Sequence, residues 1–317
     1  MQGIKFAQLA LIMLSASMLT IQASTDCPRC PGIFCGRPSG IKFNCSEQCG
    51  ACSRGYRTNL YHCTKCESLL ELYDWLFLGF MMICVMVLNF YAIDWFHATE
   101  RKIWFYHLSV IVESFFSFIF MILSFEPQGK LTLHTCRVQS IKDWYTVFYN
   151  PKPDYVNALR CTQEAVYPLY TSIFVYLIYC LVLMVICRGV LLPNLLKTRT
   201  LKALYAGLYI LPVVGLVHTC LAGIIYYTYP HLMIFLSLIG VVIFLSTLNQ
   251  DYYNNLKKPR HIGVLACYCV AHGYGIISIT EMSVPYRDGP VLVLVFLPVV
   301  FYSISRKFTN AEKFKTF

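Results

Sequence analysis

The sequence predicts an all-α membrane protein of about seven transmembrane helices carrying a small N-terminal disulfide-rich domain outside the cytosol. Three observations predict it. Hydrophobic residue types make up 57% of the 317 residues and charged types only 13%, whereas a water-soluble globule carries about 25% charged residues. Apolar runs long enough to cross about 30 Å of hydrocarbon recur from residue 74 onward. Eight of the sixteen cysteines crowd into residues 25–70. The net charge of +10 raises the question of nucleic acid. The basic residues, however, sit in short clusters between apolar runs, a pattern of membrane topology. No nucleic-acid partner is expected.

Residues 1–24 have the layout of a cleaved signal peptide: Lys5, an apolar core from Phe6 to Leu19, then the small residues Ala23 and Ser24. The alternative is a retained first helix, but the apolar run falls short of the roughly 20 residues that a span needs. Residues 25–70 then form a cysteine-rich domain holding Cys27, Cys30, Cys35, Cys45, Cys49, Cys52, Cys63 and Cys66. So short a segment buries too little apolar surface to fold without covalent or metal staples. Cys27-x2-Cys30 followed by Cys49-x2-Cys52 has zinc-ribbon spacing. Behind a signal peptide the compartment is oxidising, so disulfides are expected and no metal. Sequence alone does not choose among the roughly one hundred pairings of eight cysteines. Asn44-Cys45-Ser46 is a glycosylation sequon on the translocated side.

Helices are expected at about 74–93, 103–125, 168–187, 203–226, 231–248, 262–280 and 290–305, because a backbone in lipid must satisfy its own hydrogen bonds. Segments 94–102, 188–202, 249–261 and 306–317 then face the cytosol and hold thirteen Lys and Arg residues. The outside segments after the first span, 126–167, 227–230 and 281–289, hold six. This bias agrees with an outside N-terminus and a short cytosolic tail at 306–317. The 126–167 loop is long enough to carry function or its own structure. Cys136 and Cys161 are its only cysteines. Their pairing would restrain it by roughly 3 kcal/mol.

Charges inside spans are costly, so each marks a candidate site. Glu113 in the second span and His272 in the sixth both sit ~15 Å from the cytosolic face at 1.5 Å per residue. If those helices are neighbours they form an intramembrane polar pair, read chiefly as a packing lock, with a proton-sensitive or ligand-binding cluster as the functional alternative. His218 stands apart. Cys84, Cys180, Cys187, Cys220, Cys267 and Cys269 fall in the spans as small packing residues. No histidines are spaced i, i+4, and there is no nucleophile elbow or phosphate-binding glycine loop. No enzymatic activity, catalytic residue or cofactor is expected.

Several ordered motifs remain. Glu71-Leu72-Tyr73-Asp74-Trp75 opens the first span. Cys136-Arg137, Asp143-Trp144-Tyr145, Tyr149-Asn150-Pro151, Pro153-Asp154-Tyr155, Cys161-Thr162 and Glu164 to Tyr170 follow in and after the loop, and His272 to Ile279 stands late in the chain. With these motifs the chain resembles the c-Jun N-terminal kinase-associated membrane protein family, from about Cys30 to Lys307. The resemblance implies a seven-span adaptor of the endoplasmic reticulum membrane, with lumenal N-terminus and cytosolic C-terminus. Its implied partners are a stress-activated kinase, proteasome subunits and ubiquitin ligases, which serve removal of misfolded proteins. Cys27 and Cys45 are additional to the family's six-cysteine pattern, so the resemblance implies that they pair with each other. The short tail after Arg306 leaves little cytosolic surface for recruitment. The competing expectation is a seven-span cell-surface receptor with an extracellular cysteine-rich domain. Its details fit poorly: Cys187-Arg188-Gly189 ends the third span without an acidic-Arg-aromatic triplet.

Overall fold

The computed structural model describes residues 29–38, 48–59, 62–97, 103–150, 161–197, 202–248 and 257–305. The chain divides into two compact units, one from Met1–Lys65 with Thr146–Gln163 and the other from Cys66–Tyr145 with Glu164–Phe317. Asn44, Cys27 and Cys45 lie outside the described residues.

In the first unit the strands are short. β1 (Cys35–Gly36) pairs antiparallel with β2 (Gly50–Ala51), and β3 (Tyr56–Asn59) with β4 (His62–Lys65). Among its described residues the buried apolar side chains are Phe34 and the cysteines Cys35, Cys52, Cys63 and Cys161. Sulfur therefore replaces the hydrophobic core that so few residues cannot build. The bonds are Cys30–Cys49, Cys35–Cys161 and Cys52–Cys63. Gly36 lies against one of them: a Cβ there would stand 2.9 Å from Cys63 Sγ and 3.1 Å from Cys52 Sγ. Gln163 plugs the same region. Its Nε2 donates to Thr58 Oγ1 at 3.1 Å, and its Oε1 accepts the Cys52 N–H. These ties are why part of the long loop belongs to this unit rather than to the helices.

The expected Cys136–Cys161 bond does not form. Cys161 bonds Cys35 with Cα atoms 5.2 Å apart, and Cys136 bonds Cys66 with Cα atoms 4.8 Å apart. The backbone decides this. β5 (Ser68–Leu69) pairs with β6 (His134–Thr135), bringing Cys66 beside Cys136, while the Cys136 N–H donates to Tyr167 O at 2.8 Å. The Cys35–Cys161 bond spans a sequence separation of 126. On the chain-entropy model a closure of that length stabilises by roughly 5 kcal/mol, more than the short closure would.

Among its described residues the second unit contains six helices long and apolar enough to cross a membrane. They are α1 (Leu72–His97), α2 (Ile103–Ser124), α3 (Leu169–Leu196), α4 (Lys202–Thr247), α5 (Pro259–Thr280) and α6 (Pro285–Ser305). α3 is α-helical over Leu169–Met184, widens to a π-helix over Val185–Leu191, and closes as α-helix over Leu192–Leu196. α6 begins at Pro285 rather than near 290 and is a 3-10 helix over Gly289–Phe296. The runs expected as two helices at 203–226 and 231–248 form one continuous helical element, with Pro212 and Pro230 inside it.

Proline lacks an N–H, so Pro230 cannot serve the carbonyl four residues earlier, that of Tyr226. Tyr73 from α1 serves it instead: its hydroxyl donates to Tyr226 O at 2.6 Å. In return the Tyr226 hydroxyl donates to Asp74 Oδ1 at 2.7 Å and the Tyr229 hydroxyl to Tyr73 O at 3.0 Å. The core beneath joins Phe77, Leu78, Met81 and Val85 of α1 to Met121 of α2, Ile173 and Tyr176 of α3, and Leu211 and Val214 of α4. Trp144 packs edge-on to Phe77, with its ring centroid 5.0 Å from that of Tyr226.

Peptide mapping of the unreduced protein is expected to recover Cys35 joined to Cys161 and Cys66 joined to Cys136. A peptide joining Cys136 to Cys161 would refute this connectivity. Gly36→Ala is expected to destabilise the first unit by roughly 1–3 kcal/mol through overpacking on the Cys52–Cys63 sulfurs, read as a lower unfolding midpoint.

Candidate functional site

Within the helical unit one set of charged groups is sealed from its surroundings. Glu113 of α2, Arg188 of the π-helical segment of α3 and Asn89 of α1 are each only 3% exposed. The Arg188 guanidinium grips the carboxylate from two sides. Nε donates to Oε1 at 3.1 Å and to Oε2 at 3.0 Å, and Nη2 donates to Oε2 at 2.6 Å. Nη1 donates to Asn89 Oδ1 at 3.2 Å and to the Ala203 carbonyl of α4 at 3.1 Å. Asn89 spends its own amide on Val85 O at 2.9 Å. One side chain thus ties α1, α2 and α4 to α3. Only arginine has the donors and the planar fork for this.

Local backbone makes room for it. A π-turn is wider than an α-turn and is most often found at functional positions; Arg188 lies in the middle of this one. On α4, Gly207 faces the cluster. A Cβ there would overlap Met184 Sδ and stand 3.3 Å from both Arg188 Nη1 and Asn89 Oδ1. The void beside the cluster, lined by Val85, Asn89, Glu113, Ser114, Cys180, Met184, Arg188 and Leu211, is about 10 Å³. That volume admits about one water molecule and no organic substrate. Chemically, the arrangement is a charge-neutral clasp between helices.

The expected Glu113–His272 pair is therefore corrected. Glu113 has its counter-ion in Arg188, and His272 Nδ1 lies 2.8 Å from Ser237 Oγ of α4. The physical reason is helix adjacency. α2 packs against α3 in one antiparallel register through Ser124–Tyr179, Phe120–Tyr179 and Glu113–Arg188. α5 packs against the later half of α4, with Tyr268 near Phe244 and His261 near Phe244. Arg188 read as a loop charge because the basic cluster seemed to end the third span, but α3 continues to Leu196. His218 is fully buried, with Nε2 3.1 Å from Tyr170 O and its ring stacked on Tyr170. Nothing in the sequence singles out the Asp74–Tyr226–Tyr73 cluster, because aromatic residues near span ends serve equally as membrane-interface anchors. Among the described residues no group of three or more His, Cys, Asp or Glu side chains could hold a metal ion.

Residues 30–311 match the family model described as JNK1/MAPK8-associated membrane protein. A Mus musculus protein named JNK1/MAPK8-associated membrane protein is 37% identical over 296 residues, covering 90% of this chain and 95% of that protein. The Homo sapiens protein of the same name matches at the same identity and coverage. A Caenorhabditis elegans homolog is 30% identical over 320 residues, 93% of this chain and 97% of its own length. No solved structure matches.

Gly207→Val is expected to force α4 away from Met184 and Arg188, lowering stability by roughly 1–3 kcal/mol. Arg188→Lys keeps the charge but loses the fork that reaches Asn89 and Ala203. Thermal unfolding in detergent should show both variants melting below the parent. Unchanged midpoints would mean that the cluster does not hold the helices together.

Proposed function

The chain belongs to the JNK1/MAPK8-associated membrane protein family, and from that premise we propose that it is an adaptor of the endoplasmic reticulum membrane. In this reading it associates with a stress-activated kinase of the JNK1/MAPK8 class. It also recruits proteasome subunits and ubiquitin ligases for degradation of misfolded proteins. It performs no catalysis of its own. The observation that carries the reading is the family match across residues 30–311, with relatives named for association with that kinase. The site geometry agrees with a scaffold: its charges are neutralised among the helices and its void is too small for a substrate.

The proposal includes seven spans, with lumenal N-terminus and cytosolic C-terminus. α4 has 46 residues, which would extend about 69 Å if straight, over twice the hydrocarbon thickness. Its early half runs antiparallel to α1, with Gly207 near Asn89 and Tyr226 near Tyr73. Its later half runs antiparallel to α5, with Gly240 near Tyr268 and Ser237 near His272. α5 in turn sets the Tyr274 hydroxyl on Leu76 O. These registers support two spans that meet at Pro230.

Purification of the tagged chain in mild detergent, before and after folding stress, is expected to enrich the kinase, proteasome subunits and ubiquitin ligases over a control membrane protein. A G protein or secreted ligand in their place would refute the adaptor. In sealed microsomes, protease should spare an N-terminal epitope tag placed after the signal peptide and remove a C-terminal one. Equal protection of both tags would refute an odd number of spans.

A further inference from the structure

We propose that Cys30–Cys49 is a thiol–disulfide exchange site, the one described bond that a dithiol opens while the other described bonds stay closed. The four described bonds differ in access. Cys35 and Cys161 are each 1% exposed, Cys52 6%, Cys63 3% and Cys136 6%, so every other described bond has at least one buried cysteine. Cys30 and Cys49 are both partly exposed. Exchange requires in-line approach of a thiolate to sulfur, and exposed disulfides are the reducible ones.

The step balances. A dithiol thiolate attacks Cys49 Sγ, a mixed disulfide forms, and the Cys30–Cys49 bond breaks with its electron pair on Cys30. The second thiol of the reagent then displaces Cys49. The reagent leaves as an internal disulfide, having given two electrons, and two protons end on Cys30 and Cys49.

The strands keep the opening local. Cys49-x2-Cys52 has the spacing of a redox motif, but β2 holds Gly50–Ala51 extended against Cys35–Gly36. Three extended residues separate Cα atoms by about 10 Å, beyond the roughly 7 Å a disulfide can bridge. The freed Cys49 therefore cannot displace Cys63 from Cys52. β4 holds Cys63, Thr64 and Lys65 extended in the same way ahead of Cys66. With β1–β2 pairing, Cys35–Cys161 and Cys52–Cys63 intact, the open pair re-forms with its own partner rather than exchanging with either of those two bonds.

The test treats the full chain in native membranes with graded dithiothreitol, followed by alkylation and peptide mass spectrometry. Cys30 and Cys49 are expected to be alkylated together at about tenfold lower dithiothreitol than any other described disulfide cysteine, and to re-pair with each other once the reagent is removed. The Cys30→Ser, Cys49→Ser double variant should leave the other three bonds opening at their original doses. Alkylation of Cys35, Cys161, Cys52, Cys63, Cys66 or Cys136 at the same or lower dose would overturn the proposal. So would opening of all four bonds in one step.

Discussion

A membrane interior offers no water to a charged or polar group, so each such group in the helical unit that lacks a partner within the protein is costly. Arg188 meets that demand for the most expensive groups. Its guanidinium neutralises Glu113 and satisfies Asn89 and a carbonyl of α4. A buried ion pair of this kind is weak evidence of net stability, because desolvation offsets much of the attraction. Its value lies in what its absence would do. Removing either partner strands a charge where nothing can solvate it, so helix pairings that separate the two are excluded.

The same demand explains the proline in α4. Pro230 frees the Tyr226 carbonyl, and a carbonyl left open in lipid costs several kcal/mol. Tyr73 closes it, and Asp74 and Tyr229 complete a small network around the exchange. Two polar networks thus fasten the helices, one near the start of α1 and one toward its end. Outside the helices water is available and apolar area is scarce, and sulfur bonds take over. The division of labour follows the solvent: polar clasps where water is absent, cystines where a core is too small.

Much of this organisation was legible in the residues. The spans showed because length and apolarity suffice to define them, and the cysteine-rich segment showed by its spacing within a polar stretch. Partners did not show. Cys136 and Cys161 share a loop, but register between β5 and β6 and the ties of Gln163 decide their bonds, and those are tertiary facts. Glu113 was recognisable as a costly residue, yet its counter-ion stood in a cluster that topology rules assign to the cytosol. The signal was present in the antiparallel register of α2 and α3, which aligns Glu113 with Arg188 once Phe120 faces Tyr179. The π-helical widening that accommodates Arg188 has no sequence pattern that marks it.

The most direct measurement is a double-mutant cycle of unfolding free energies in one detergent, using Glu113→Leu, Arg188→Met and the double variant. If the buried pair selects the helix arrangement, each single change destabilises by roughly 3–5 kcal/mol while the double change restores much of the loss. The coupling is then about 2 kcal/mol or more. Additivity within about 0.5 kcal/mol would contradict it, and the helices would then be held by apolar packing alone.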